Sequence, residues 1–303
     1  MAHELTLDGS VAVVTGAGRG LGAAHAKLLA RRGARVIVNA SSPDGAEAVA
    51  AEIRRDGGEA IVDVADVSTP AGGRSGVDLA LERYGRIDIL VNNAGITYKA
   101  KPFMECDLEG FQRMWAVHVG GTISATRAAW PAFLAQGSGR VINMGSQAGV
   151  FGQPRVPEYC SAKGALYGLT RSLSFEGREH GIAVNLVIPA GLSRMTDGKF
   201  SSEHLEAMAP EMVSAVVLWL AHPSCRANGQ SFGALAGRVG RFAIAEDSAF
   251  WDRSLTPERV AERLGHVTAD DPVLFSGGQT VPFGGTGQTY VASVLGELPA
   301  AVG

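Results

Sequence analysis

Val11-Ala12-Val13-Val14-Thr15-Gly16-Ala17-Gly18-Arg19-Gly20-Leu21-Gly22 is the stretch that decides the fold. Four successive apolar residues fit a buried strand, and the glycines after them break it into a tight turn that opens a helix. Gly16, Gly20 and Gly22 permit positive φ and close backbone approach. The free N–H groups of the next helix, at its positive dipole end, offer donors to phosphate. The spacing therefore reads as the seat of a dinucleotide pyrophosphate, formed by Gly16, Gly18, Arg19, Gly20, Leu21 and Gly22.

Outward from this turn, strand-like apolar runs at 11–15, 35–39, 60–64, 87–91, 140–145 and 182–188 alternate with helical patterns near 20–32, 44–56, 70–84, 108–136, 157–179 and 203–221. Such alternation implies an α/β fold of Rossmann type, a doubly wound parallel sheet with helices on both faces. Sheets of this kind bind ligands at the carboxyl ends of their strands. No internal repeat of fixed period is present. The reading divides the chain into a Rossmann domain over 1–245 and a C-terminal extension over 246–303. In the extension, Thr256 is placed to cap a short helix over 256–264 that has Pro257 at its first position, and a Gly-rich tail follows.

The chain has 303 residues, 46% hydrophobic and 19% charged, enough for a sizeable core. A formal charge of −3 supplies no basic field for a polyanion, which argues against nucleic acid as a partner. No apolar run reaches the roughly 20 residues of a membrane span, and the first residues lack a signal-peptide pattern. Cys106, Cys160 and Cys225 are odd in number and show neither pairing nor metal-ligand spacing, so no metal is expected. These features read together as a soluble, cytoplasmic protein.

Three further motifs carry chemistry. Asn92-Asn93-Ala94-Gly95 follows the strand-like Ile87–Val91, and Ser146 precedes Tyr159-Cys160-Ser161-Ala162-Lys163 by thirteen residues. Tyr159 and Lys163 stand four apart in a helical segment and share one face. A phenol with a reference pKa of about 10 is a poor base at neutral pH, and a neighbouring ammonium favours its phenolate. With the glycine turn, these motifs resemble the classical short-chain dehydrogenase/reductase family over roughly residues 5 to 240.

That resemblance implies Tyr159 as general acid/base, Lys163 tuning it and holding the nicotinamide ribose, and Ser146 as donor to the substrate oxygen. It places Asn93, Ala94 and Gly95 along the cofactor and Asp66-Val67 on its adenine side, although Asp66 also suits a cap for the helix near Thr69. Ile188, Pro189 and Thr196 fall where the family meets the nicotinamide, with Pro-Ala-Gly replacing the usual Pro-Gly. The family's long fourth helix usually carries an Asn in a proton relay, and here His118 stands in the matching stretch. It serves either as a relay or as a core histidine bonded to backbone. The long helices near 108–136 and 157–179 match the family's subunit-pairing elements. They imply a homodimer or homotetramer, with Trp130 and Phe133 as candidate contacts.

Thr126–Pro131, Ser193–Thr196, Pro210–Val213, Val217–Leu220 and Pro257–Val260 are similar to the (3R)-hydroxyacyl-CoA dehydrogenase module of the peroxisomal multifunctional enzyme type 2 branch. The expected reaction is NAD(P)-dependent interconversion of a secondary alcohol and a ketone, with a 3-hydroxyacyl thioester as the small-molecule substrate. A steroid, sugar or other hydroxy compound is the alternative, and a non-catalytic nucleotide-binding regulator or scaffold is the alternative of another class. Lys99, Lys101, Arg155, Arg194 and Lys199 lie near the expected crevice mouth. NAD users of the family commonly place an acid after the second strand, but here Ala40 and Ser41 follow Asn39. Arg19 and Ser41 can instead meet a 2′-phosphate, which favours NADP(H) over NAD(H).

Overall fold

The computed structural model describes residues 4–190, 208–243 and 255–264, together with the backbone of 273–274 and 280–281. Eight strands form one sheet in the order β3-β2-β1-β4-β5-β6-β7-β8. They are β1 (Val11–Val14), β2 (Arg35–Ala40), β3 (Glu59–Val64), β4 (Ile89–Asn92), β5 (Gly139–Met144), β6 (Ile182–Ala190), β7 (Ser231–Leu235) and β8 (Arg238–Phe242). β1 to β7 pair in parallel, and β8 returns antiparallel along β7. The turn into β8 places Ala236 (φ 50) and Gly237 (φ 77) both in the left-handed region, as a two-residue hairpin requires. A small separate hairpin pairs β9 (Val273–Leu274) with β10 (Thr280–Val281).

Side-chain alternation splits each strand between two cores. On one face Ala12 and Val14 join Leu29, Val49, Val217 and Leu220, from α1 (Gly20–Arg31), α2 (Pro43–Arg55) and α8 (Pro210–Ala221). On the other, Val11 and Val13 join Val77, Ala80, Ala125 and Phe133, from α3 (Pro70–Tyr84) and α5 (Gly121–Gln136). Ser42, Thr69 and Asp107 each accept a backbone N–H as N-caps of α2, α3 and α4 (Leu108–Trp115), which marks those helix starts chemically. α7 (Pro157–Arg178) opens with Pro157 in its first turn.

Three sequence expectations change here. The helix expected over 108–136 is α4 and α5 joined by a π-helical turn, Ala116–Gly120, because one extra residue is accommodated where His118 enters the core. A short α6 (Gln147–Phe151) separates β5 from α7. Phe133, expected as a subunit contact, is fully buried against the sheet, while Trp130 packs partly buried beside that core. Residues 203–207 of the expected last helix, and Thr196, Arg194 and Lys199, lie outside the described residues. Thr256 does cap α9 (Pro257–Leu264), its hydroxyl accepting from Arg259 N at 3.3 Å. None of the described helices is long and apolar enough to cross a membrane.

Candidate active site

The carboxyl ends of β1, β4 and β5 bring the glycine turn, the Asn-Ala-Gly loop and Ser146 to one edge of the sheet. In the turn, Gly16 has φ +63, and a side chain on it would lie 2.7 Å from the Ala94 Cα. A side chain on Gly22 would run into the Asn93 amide and the Gly16 carbonyl. Gly18 faces the Ala40 methyl, a Cβ there standing 3.0 Å from it. Gly20, at φ +55, faces open space. α1 begins without a side-chain cap or an acid in its first turn. This bare, open helix start, walled by glycine, fits a dinucleotide's diphosphate.

Buried hydrogen bonds hold the turn in place. Gly16 N donates to Asn39 Oδ1 at 3.3 Å, and Asn39 Nδ2 donates to Asp63 Oδ2 at 2.7 Å. Asp63 also accepts from Ser75 Oγ at 2.6 Å, so its charge faces inward. Thr15 Oγ1 accepts from both Asn93 N and Ala94 N, at 3.0 and 3.1 Å. Asn93 Nδ2 donates in turn to the Thr15 and Gly16 carbonyls. Asn92 instead points into the sheet, donating to Asn143 Oδ1 at 2.9 Å and to Thr126 Oγ1 at 3.1 Å. Thr15, Asn39 and Asp63 were not singled out from sequence as site residues, since a lone Thr or Asn in a strand end carries no spacing signal.

Ser146 caps α6, its hydroxyl accepting from Ala148 N at 3.2 Å. A hydrogen bond from Ser146 opposes the burial that pushes the Tyr159 phenol up. Lys163 is buried, donates to the Met144 carbonyl at 2.6 Å and lies 5.8 Å from the centre of the Tyr159 ring. Burial lowers its ammonium to about 7. The sequence reading had an ammonium pulling the phenol down. In the structure desolvation dominates both groups, because Lys163 shares the dry environment and turns toward a backbone carbonyl.

His118 sits in the π turn, its ring edge-on to Tyr159 with centres 5.6 Å apart. Its Nε2 lies 2.8 Å from the Ile96 carbonyl and 3.1 Å from the Ile96 nitrogen, while Nδ1 is buried without a partner. Gly95 has no side chain where the imidazole lies, a Cβ there standing 2.6 Å from His118 Cε1. Burial, with Lys163 adding repulsion, lowers the imidazole to about 3, so it is neutral at ordinary pH.

Of the remaining sequence assignments, Ala40 is buried at the end of β2 and Ser41 is exposed beside it. Asp66 accepts from Ser68 N at 3.0 Å and pairs with Arg113, whereas Thr69 caps α3. Val67 is buried, and Ile188 and Pro189 lie in β6 against β7.

The short chain dehydrogenase family matches residues 10–204, and the chain belongs to it. It is therefore an oxidoreductase of a family that uses NAD(P)(H). The mouse peroxisomal multifunctional enzyme type 2 is 39% identical over 264 residues, covering 84% of this chain and 34% of that protein. The chain thus spans about a third of that relative. A 3-oxoacyl-[acyl-carrier-protein] reductase from a Synechocystis species is 36% identical over 243 residues, covering 77% of this chain and 98% of the relative. The crystal structure of a short chain dehydrogenase from Mycobacterium avium superposes with a TM-score of 0.77 at 32% identity, covering 86% and 94% of the two chains.

Proposed function

We propose that the chain interconverts a secondary alcohol and a ketone, with a 3-hydroxyacyl thioester as substrate and NADP(H) preferred over NAD(H). The observation that carries the reaction is the placement of buried Lys163 5.8 Å from the centre of the Tyr159 ring, with Ser146 following β5 at the same sheet edge. When bound, the nicotinamide accepts or supplies hydride at the substrate carbon. Tyr159 gives or takes the hydroxyl proton. Ser146 donates to the substrate oxygen and orients it toward the phenol. Lys163 holds the ribose and, being desolvated, releases or takes a proton near neutral pH. His118 is a positioning residue through Ile96, because its Nε2 is engaged by backbone and burial keeps the ring neutral.

Similarity to a 3-oxoacyl-[acyl-carrier-protein] reductase, together with the stretches resembling the peroxisomal multifunctional enzyme type 2 branch, supports the substrate class. Lys101 N donates to the Arg155 carbonyl at 2.9 Å, bringing two basic segments together at the mouth, where Lys99 and Arg155 would meet the phosphates of a CoA thioester. The cofactor preference rests on what faces the adenosine ribose. Ala40 supplies no carboxylate, Asp63 is turned inward onto Asn39 and Ser75, and Arg19 stands at the start of α1. Paired kinetics with NADPH and NADH on acetoacetyl-CoA test both parts. A higher specificity constant with NADPH is expected, reversed toward NADH in Ala40→Asp. Preference for NADH in the unsubstituted chain would overturn the cofactor assignment.

The faces of α4, α5 and α7 leave Trp115, Ile123 and Phe175 exposed, which supports a homodimer built through these helices. A monomer mass in light scattering at micromolar concentration would contradict it. The catalytic unit in this reading is 1–245, with 246–303 as an extension.

A further inference from the structure

We propose that Arg113 is a positioning residue for the adenine end of the cofactor, acting through the Asp66 carboxylate. This rests on the assignment of Asp66 to the adenine. Asp66 Oδ1 accepts from Ser68 N at 3.0 Å, and Asp66 Oδ2 lies 3.0 Å from Arg113 Nη2. The other terminal nitrogen of Arg113 donates to Ser68 Oγ. The three residues close a ring in which one carboxylate oxygen is held by the Ser68 amide and the other by the Arg113 guanidinium. The Ser68 amide, then Arg113, keeps the carboxyl below its ordinary range.

Stability does not explain the pair. Its side chains are 45% and 44% exposed, and an ion pair so open to water contributes little to folding. What it does provide is orientation, since a free aspartate rotates about two torsions and this one is fixed at both oxygens. The turn beneath is packed without slack. A side chain on Gly72 would strike the Asp66 carbonyl, one on Gly121 would stand 3.0 Å from the Val67 carbonyl, and one on Gly73 would lie 2.6 Å from Ser124 Cβ. The adenine turn is thereby wedged between α3 and the start of α5.

The guanidinium comes from α4, which belongs to the catalytic side of the molecule. Five residues further along the same rod, His118 touches the Tyr159 ring and the Ile96 backbone. One rod therefore fixes a group at each end of the cofactor crevice.

Titration calorimetry with ADP-ribose, which carries the adenine, and with nicotinamide mononucleotide, which does not, tests this role on the full chain. Arg113→Ala and Arg113→Met should weaken ADP-ribose by about three- to tenfold and leave the mononucleotide unchanged, with Arg113→Lys recovering most of the loss. In turnover, the KM for cofactor should rise more than kcat falls. In an Asp66→Ala background, Arg113→Ala should cost nothing further. Equal weakening of both ligands, or losses that multiply in the double variant, would overturn the proposal while leaving nucleotide binding intact. Unchanged ADP-ribose affinity in Asp66→Ala would instead overturn the adenine assignment and this role with it.

Discussion

The two halves of the crevice are built on opposite principles. Around the glycine turn the backbone makes the site. Gly16 and Gly22 bring other chain segments closer than a Cβ would allow, Gly18 packs tightly against Ala40, and the polar side chains behind them, Thr15, Asn39 and Asp63, are satisfied within the protein. Around Tyr159 large titratable side chains make the site. Tyr159, Lys163 and His118 are shifted by burial, and His118 Nδ1, Gln147 Nε2 and Asn92 Oδ1 are buried without partners. The nucleotide half is a finished steric mould, whereas the catalytic half stores unmet polarity that a reacting ligand can use. Substitutions should accordingly act on fit in one half and on proton chemistry in the other.

The sharpest break is Tyr159→Phe. Removing the hydroxyl while keeping the ring beside His118 should lower kcat by about 100- to 10,000-fold. Cofactor affinity, measured by fluorescence titration, should stay within about twofold of the unsubstituted chain. Retention of a tenth of the original rate would mean that the proton passes elsewhere.

Lys163→Met follows, as a stability effect as well as a loss of turnover. The folded pKa is about 7 against 10.5 for the ordinary side chain, so the unfolded chain binds more protons between those values. Burial of this ammonium therefore costs most below pH 7, and stability rises as pH climbs toward 10.5. Denaturant melts from pH 6 to pH 10 should show this rise, and Lys163→Met should flatten it and be more stable by a few kcal/mol at pH 6. An unaltered pH profile would show that Lys163 titrates normally.

On the steric side, Gly16→Ala combines a left-handed φ with a clash against Ala94. It should destabilise the fold by roughly 1–3 kcal/mol and weaken cofactor binding, with kcat at saturation much less affected. A larger loss in kcat than in affinity would blur the contrast between the halves. The smallest expected effect is at His118. His118→Asn should keep near-normal activity, whereas His118→Leu, which cannot bond Ile96, should slow turnover by about three- to tenfold. Equal rates for the unsubstituted chain and the Leu variant would remove His118 from the mechanism.

The difference between the halves also explains what could be read from sequence. Glycines at fixed spacing, and Ser146, Tyr159 and Lys163 in order, are local patterns, so the parallel sheet and the residues that line its edge were legible. The strands fall within about two residues of the expected spans. Contacts closed by tertiary approach were not legible. Nothing in the sequence near Arg113 announces Asp66, 47 residues away, as its partner. Nor does spacing reveal that Lys163 would turn to the Met144 carbonyl, or that Phe133 would face the sheet and not a second subunit. The direction of the Tyr159 shift was missed for the same reason, since burial is a property of the assembled core.

The π turn at Ala116–Gly120 has a consequence for the phase of the long rod. A π turn takes up one residue more than an α-helical turn, so everything beyond it lies about 100° behind where an unbroken α-helix through the same residues would place it. Thr122, Ala125, Thr126, Ala129 and Phe133 all point into the core in this set-back phase, and Thr126 meets Asn92 because of it. Deleting a single residue between 116 and 120 would restore ordinary helical hydrogen bonding and leave that inward face on the sheet, whereas forcing the same residues into an unbroken α-helix would swing it toward solvent. The bulge that positions one imidazole is thus also the register mark by which sixteen residues of helix find the sheet.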